Sequence, residues 1–159
     1  MNLVPVGLER NTRNVMALFS SSKKDNLTEV VVGVLKDSRN KVLMSTRRHK
    51  NDFPDHLEFP GGKKEAHETP RMALKRELKE ELGIYIEDFQ AMESYIYQYD
   101  SFEVELYPFF IKSYKGNPIA NENEQIIWVN LQDLSKVKVI PGSKSIVERL
   151  TNILSKEIS

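Results

Sequence analysis

The sequence predicts an α+β fold, a mixed β-sheet sandwiched between helices in α/β/α layers. Two observations predict it. Several short β-branched or aromatic runs are bounded by turn residues, and two further segments carry apolar residues at helical spacing. The domain is expected to occupy residues 28–159. Residues 1–27 read as an N-terminal extension that ends in the polar stretch Ser20-Ser21-Ser22-Lys23-Lys24-Asp25-Asn26. What precedes that stretch reads equally as a strand, a cap or a disordered arm.

Val30 to Leu35 is β-branched and short, as in a buried strand. Asp37-Ser38-Arg39-Asn40 supplies a turn, and Val42 to Ser45 a returning strand. Arg47 to His56 is polar, holds Pro54, and reads as a loop. Leu57-Glu58-Phe59-Pro60-Gly61-Gly62 is a short strand running into a glycine turn. A helix follows, with Thr69 as N-cap, Pro70 at the first helical position and Gly83 at its end. Leu74, Leu78 and Leu82 give its buried stripe. Phe89 to Tyr99, Phe102 to Tyr114 and Ile126 to Val129 read as strands, with a turn at Gly116-Asn117-Pro118. A second helix begins at Ser143, with Ile146, Val147, Leu150, Ile153 and Leu154 on one face.

The composition is that of a globular domain, 40% apolar and 29% charged. Lys+Arg and Asp+Glu both number 23, so no bulk field favours a long nucleic acid or an anionic membrane, and stable nucleic-acid binding is not expected. The chain has no cysteine, which excludes disulfides, a thiolate nucleophile and Cys-ligated zinc. No apolar run approaches the roughly 20 residues that span a bilayer. Val15 to Phe19 is too short for the apolar core of a secretory signal. A cytoplasmic location is therefore expected.

The chemistry concentrates between Gly62 and Ile84. Glu77, Glu80 and Glu81 stand at i, i+3 and i+4, which on a helix puts three carboxylates on one side, beside the leucine stripe. Like charges so close repel one another, and magnesium, a hard cation that takes oxygen ligands, would relieve the repulsion. Glu68, ahead of the helix, is placed to fold back onto the same site. A run such as Glu77-Leu78-Lys79-Glu80-Glu81 is by itself usually a solvated helix face. The full pattern is far rarer: Gly62, five residues, Glu68, seven residues, Arg76-Glu77-Leu78, one residue, Glu80-Glu81, one residue, Gly83-Ile84. With average residue usage it arises by chance on the order of 10⁻⁹ times per start position.

This pattern resembles the Nudix box at every defining position, and the likeness is closest to the MutT branch of the Nudix hydrolases. Leu57-Glu58-Phe59-Pro60-Gly61-Gly62-Lys63 looks like that branch's approach to the box, and Gly116, Pro118, Glu122 and Trp128 fall where it has matching residues. The resemblance covers about residues 28 to 150. It implies a Mg2+-dependent nucleoside triphosphate pyrophosphohydrolase, with Mn2+ able to substitute, that yields a monophosphate and pyrophosphate and clears unwanted nucleotides such as 8-oxo-dGTP. Glu77, Glu80, Glu81 and the Gly62 carbonyl would hold the metal, with Glu122 as the distant acidic ligand and Glu124 in reserve. Glu68 would orient Arg76, and Arg76 would steady the helix carboxylates. Glu77 would be the general base, with Glu80 second. Arg48, or Arg47 beside it, would contact the nucleotide, and Phe59 would line the base pocket, although an aromatic in a buried strand is more often core.

One position departs from the branch. Where it has an asparagine that reads oxidised guanine, this chain has Ser143, whose hydroxyl has a shorter reach than an amide. Ser143 reads first as the N-cap of the last helix. Specificity for 8-oxo-dGTP is thus less secure than the hydrolase chemistry, and dCTP, a dinucleotide polyphosphate and an RNA 5′ end stand as alternative substrates. Some domains of this fold sense nucleotides without cleaving them, but such domains typically lose box glutamates, and all are present here. His49, His56 and His67 lack the spacing of a metal site and read as surface residues. Tyr95, Tyr97 and Tyr99 alternate along a strand and read as one sheet face packing its neighbours.

Overall fold

The computed structural model describes residues 27–48, 50–120 and 124–158. The N-terminal extension, save Leu27, lies outside them, as do His49 and Glu122. Eight strands are described: β1 (Leu27–Leu35), β2 (Lys41–Thr46), β3 (Leu57–Glu58), β4 (Gly61–Lys63), β5 (Tyr85–Ala91), β6 (Tyr95–Gln98), β7 (Glu103–Lys115) and β8 (Ile126–Asn130). The α-helices are α1 (Pro70–Leu82) and α2 (Lys144–Ile158). No described helix is long and apolar enough to cross a membrane.

The expected mixed sheet is present, in the order β4-β1-β7-β5 with β6 also paired to β7. β1 and β7 run parallel from Leu27 opposite Glu103 to Leu35 opposite Ile111, and the other pairings in this sheet are antiparallel. Both faces of β1 are covered, which is why its sequence is a continuous apolar run. Val31 and Leu35 join a core with Ala73, Leu74, Leu78 and Leu82 of α1, while Val32 and Val34 join a second core with Ile146, Val147 and Leu150 of α2. The helices therefore pack on opposite sides of β1, as an α/β/α arrangement requires. Ile153 departs from the expected buried stripe of α2 and is 52% exposed. Gly33 lets α1 lie close, since a β-carbon there would stand 3.1 Å from a Leu78 methyl.

Two expectations for the strands are corrected. The strand after the Asp37–Asn40 turn does not return along β1. It enters a separate antiparallel sheet in the order β3-β2-β8, which one sheet between helices did not anticipate. The Asp37 side chain accepts from the amides of Arg39 and Lys41, and Asn40 takes a left-handed φ of 59°. Together they turn the chain out of the first sheet. The strand expected over Phe89–Tyr99 is broken into β5 and β6, and Pro108 in the facing strand explains the break. Its carbonyl accepts from Met92 N at 2.9 Å, so the side of Pro108 that would return an N–H faces this partner, and proline has none to give.

Helix α1 begins and ends where its sequence directs. Thr69 is extended (φ −77°, ψ 159°) and its Oγ1 accepts from Met72 N; Gly83 closes the helix in the left-handed conformation (φ 69°, ψ 23°). Gly83 N reaches the Lys79 carbonyl at 3.0 Å, so the last turn is satisfied.

Candidate active site

Strand β4 lies along the edge of β1, with Gly62 opposite Val31 and Gly61 opposite Val32. α1 crosses so near that a β-carbon on Gly62 would fall 2.4 Å from the Glu77 carboxyl carbon, and one on Gly61 would fall 2.0 Å from the Val31 carbonyl oxygen. Only glycine fits at position 61, where φ is +151° and the obstacle is backbone; at position 62 a side chain would have to push the Glu77 carboxylate aside. Glu81, one turn beyond Glu77, accepts from Gly61 N at 2.9 Å and so ties the helix to the strand.

A chain of ion pairs supports this junction from behind. Glu68 is buried and receives Arg76 at two points, Nε at 2.5 Å and Nη2 at 2.9 Å, as well as the Glu65 amide at 3.0 Å. The Arg76 guanidinium, followed by that amide, holds the Glu68 carboxyl down at about 2. Arg76 is raised above its ordinary range, chiefly by Glu68 and also by Glu77. It then extends Nη2 to the Lys63 carbonyl at 3.0 Å and Nη1 to Glu77 Oε1 at 2.9 Å. Glu68 and Arg76 thus sit behind Glu77 as expected, and neither lines the cleft in front of it.

That cleft has a volume of about 480 Å³. Gly61, Gly62, Lys63, Glu77 and Glu81 form one end, and Phe53, Phe59, Tyr99, Phe102 and Ser143 are also in its wall. Arg47, Lys50, Asp52 and Glu58 line it too. A small cavity of about 20 Å³ shares Lys50, Glu58 and Glu81 with the cleft and adds Glu124, which accepts from Thr46 Oγ1 at 2.7 Å and Arg48 N at 2.9 Å.

The three helix carboxylates lie within an arc of about 100° on α1, as their spacing requires: at roughly 100° per residue, Glu81 lies about 40° to one side of Glu77 and Glu80 about 60° to the other. The cleft takes up only part of that arc. Glu81 enters the cleft. The Glu80 side chain is 58% exposed, reaches Arg76 Nη1 at 3.3 Å, and lines an open groove with Lys75, Lys79 and Tyr85. Among the described residues, the group of three acidic or histidine side chains near enough to share an ion is instead Glu65, His67 and Glu68, with ligand atoms within 4.8 Å of one another. Arg76 already occupies Glu68 there.

The expected nucleotide contacts divide. Phe59 lines the cleft while remaining part of the core, and Ser143 lines it while buried. Ser143 is not the N-cap: it closes a 3₁₀ turn (Pro141–Ser143) and its own amide already donates to the Ile140 carbonyl at 2.9 Å. Arg48 is exposed and does not line the cleft, whereas Arg47 is buried and does. The tyrosines do more than pack a sheet face. Tyr95 donates to the Gly142 carbonyl at 2.6 Å, Gly142 N donates to Tyr99 Oη at 3.0 Å, and Tyr99 stacks on Phe102 at 5.0 Å between ring centres. Burial pushes the Tyr95 phenol up to about 12, so it stays a neutral donor.

The segment that carries the sequence pattern thus folds into a glycine strand end apposed to a helix glutamate and backed by an arginine clamp. The NUDIX domain family model matches residues 27–150. The chain belongs to the Nudix family. This Nudix hydrolase is 30% identical over 126 residues to the 8-oxo-dGTP diphosphatase of Haemophilus influenzae, covering 79% of its own length and 93% of the relative's. It is 28% identical over 125 residues to the Escherichia coli 8-oxo-dGTP diphosphatase, covering 79% and 97%. It also superimposes on a solved structure from work on MutT of Aliivibrio salmonicida and Vibrio cholerae. That match has a TM-score of 0.67 and 27% identity, and covers 78% of this chain and 96% of the other.

The donor set of this Nudix hydrolase fits a divalent cation. Glu77 and Glu81 offer hard carboxylate oxygens in the cleft, Glu58 and Glu124 stand on the cavity beside it, and Gly62 leaves its backbone uncovered against Glu77. Sequence reasoning gave no role to Glu58, Asp52, Phe53 or Phe102. Glu58 adjoins Phe59 in the segment resembling the family, so its place in that segment was a usable signal. The others come from loops without a periodic pattern.

Proposed function

We propose that this chain is a MutT-type pyrophosphohydrolase that cleaves nucleoside triphosphates, 8-oxo-dGTP among them, to the monophosphate and pyrophosphate. The apposition of Gly62 and Glu77 at one end of the cleft carries the reading. The phosphate chain lies at that end, and the base lies toward Phe53, Tyr99 and Ser143. Glu77, Glu81 and the Gly62 carbonyl would hold Mg2+, for which Mn2+ would substitute, with Glu80 and Glu122 as the further acidic ligands that the family resemblance implies. When bound, the metal neutralises phosphate charge and lowers the pKa of the attacking water.

Glu77 would take the proton of the attacking water. Arg76 keeps the Glu77 carboxylate turned toward the cleft through the 2.9 Å contact to Oε1, and Glu68 fixes Arg76 in its turn. Lys63 brings a positive charge to the phosphate end. Ser143 offers the base a hydroxyl where the related branch has an amide, a weaker basis for reading an oxidised purine.

The test is steady-state hydrolysis with Mg2+ across 8-oxo-dGTP, dGTP, dCTP, dATP and a dinucleotide polyphosphate, compared by kcat/KM. A preference of about tenfold or more for 8-oxo-dGTP over dGTP, about 1.4 kcal/mol of discrimination, supports the oxidised-purine role. A flat profile removes that substrate and leaves triphosphate hydrolysis. Exclusive action on the dinucleotide overturns the proposal.

A further inference from the structure

Arg47 is 6% exposed in the cleft wall, and each of its three guanidinium nitrogens has a protein partner. Nε and Nη2 donate to the Asp52 carbonyl at 3.4 and 3.2 Å, Nη2 pairs with Asp52 Oδ1 at 3.0 Å, and Nη1 pairs with Glu58. An arginine committed in this way is a clamp on its own loop rather than a hand for substrate phosphate.

The clamp acts on one peptide. The Asp52 carbonyl belongs to the peptide that precedes Phe53, so holding it orients one of the two peptide planes between which φ at Phe53 is set. That angle is +51°, a left-handed conformation that a bulky residue seldom adopts. From the other side, the Phe53 carbonyl accepts from His56 N at 3.1 Å. Held at both peptides, the half-buried Phe53 ring stands in the cleft wall, 6.3 Å from the Tyr99 ring and 5.2 Å edge-on to His56.

We propose that Phe53 is a specificity-determining stacking platform for the nucleotide base, favouring purines, and that Arg47 is the positioning residue that holds it in the cleft. The inference rests on the reading of this cleft as a nucleotide site. A purine presents the larger π-face to the ring, and base–aromatic stacking tolerates chemical variation at the base edge. Selection by stacking thus complements a Ser143 hydroxyl that reads the edge weakly.

The test uses the intact chain and equilibrium binding of dGMP and dCMP, by calorimetry, to the wild type, Phe53→Ala, Phe53→Tyr, Arg47→Met and the double variant Arg47→Met/Phe53→Ala, each with its thermal midpoint. Phe53→Ala is expected to weaken dGMP about tenfold and dCMP much less, with Phe53→Tyr retaining the selectivity. Arg47→Met should lose the same dGMP/dCMP ratio, and the double variant should be no worse than Phe53→Ala alone, because both act through one ring. The inference is overturned by an unchanged ratio in Phe53→Ala, by effects of the two substitutions that add, or by an Arg47→Met variant that lowers only the thermal midpoint. Triphosphate hydrolysis by the wild type is measured alongside. Base-selective binding without turnover would sink the proposed activity and leave this inference standing. Turnover without any dependence of the ratio on Phe53 would sink this inference alone.

Discussion

At one end of the cleft, Gly62, Glu77 and Glu81 come from a single strand–loop–helix segment. At the other, Phe53, Tyr99, Phe102 and Ser143 come from a loop, the turn after β6 and the 3₁₀ turn before α2. The first end is held by covalent proximity, by a backbone contact that admits only glycine at position 61, and by the Glu77 carboxylate packed against Gly62. The second is assembled by long-range hydrogen bonds, such as Tyr95 to Gly142 and Gly142 to Tyr99. On the proposed reading, chemistry is housed in a local motif, whereas recognition depends on the tertiary fold. Substitutions at the two ends should therefore fail in different ways, turnover at one and affinity or selectivity at the other.

The largest expected effect is at the chemical end. Glu77→Gln should lower kcat by about 10²–10⁴ while dGMP affinity stays near the wild-type value, as measured by steady-state kinetics and calorimetry. A parallel loss of binding would break the division between the ends. Gly62→Ala comes next, with kcat down about 10²-fold, because the added carbon meets the Glu77 carboxylate and displaces it. Its base selectivity should be unchanged.

Behind the site, Glu68 gives a pH signature. Its carboxyl sits at about 2 in the fold against an ordinary 4.5, so the folded state favours its ionised form. The stabilisation is fully present above pH about 4.5 and is lost as the pH falls through about 2. Denaturant unfolding of Glu68→Gln should show a shallower decline across that window than the wild type. An identical decline would show that the Arg76 clamp does not hold in solution. The smallest effect belongs to the recognition end: Tyr95→Phe should destabilise the fold by about 0.5–1.5 kcal/mol through the lost bond to Gly142, with kcat preserved.

The same contrast explains what was legible in the sequence. Helix α1 could be read to its caps because Thr69, Pro70 and Gly83 are local signals that carry their own backbone chemistry. The glutamates were legible because their spacing is unusual, yet the separation of Glu80 from Glu81 depended on which way α1 rolls against β4, a tertiary fact. The break between β5 and β6 was hidden because its cause, Pro108, sits in the partner strand. Arg47 and Arg48 are adjacent and chemically alike, and only the fold shows that one is buried against Asp52 and Glu58. Phe53 was unreadable for the same reason, since its left-handed φ of 51° has no local sequence signal.

The most direct test of the division between the two ends is product analysis on the intact chain. 8-oxo-dGTP is incubated with Mg2+, with and without excess chelator, and phosphorus NMR identifies what is released. The expected products are 8-oxo-dGMP and pyrophosphate in equal amounts, absent with the chelator and nearly absent in Glu77→Gln. Release of inorganic phosphate with the diphosphate, or full turnover by Glu77→Gln, would contradict the placement of the chemistry at the Gly62–Glu77 end.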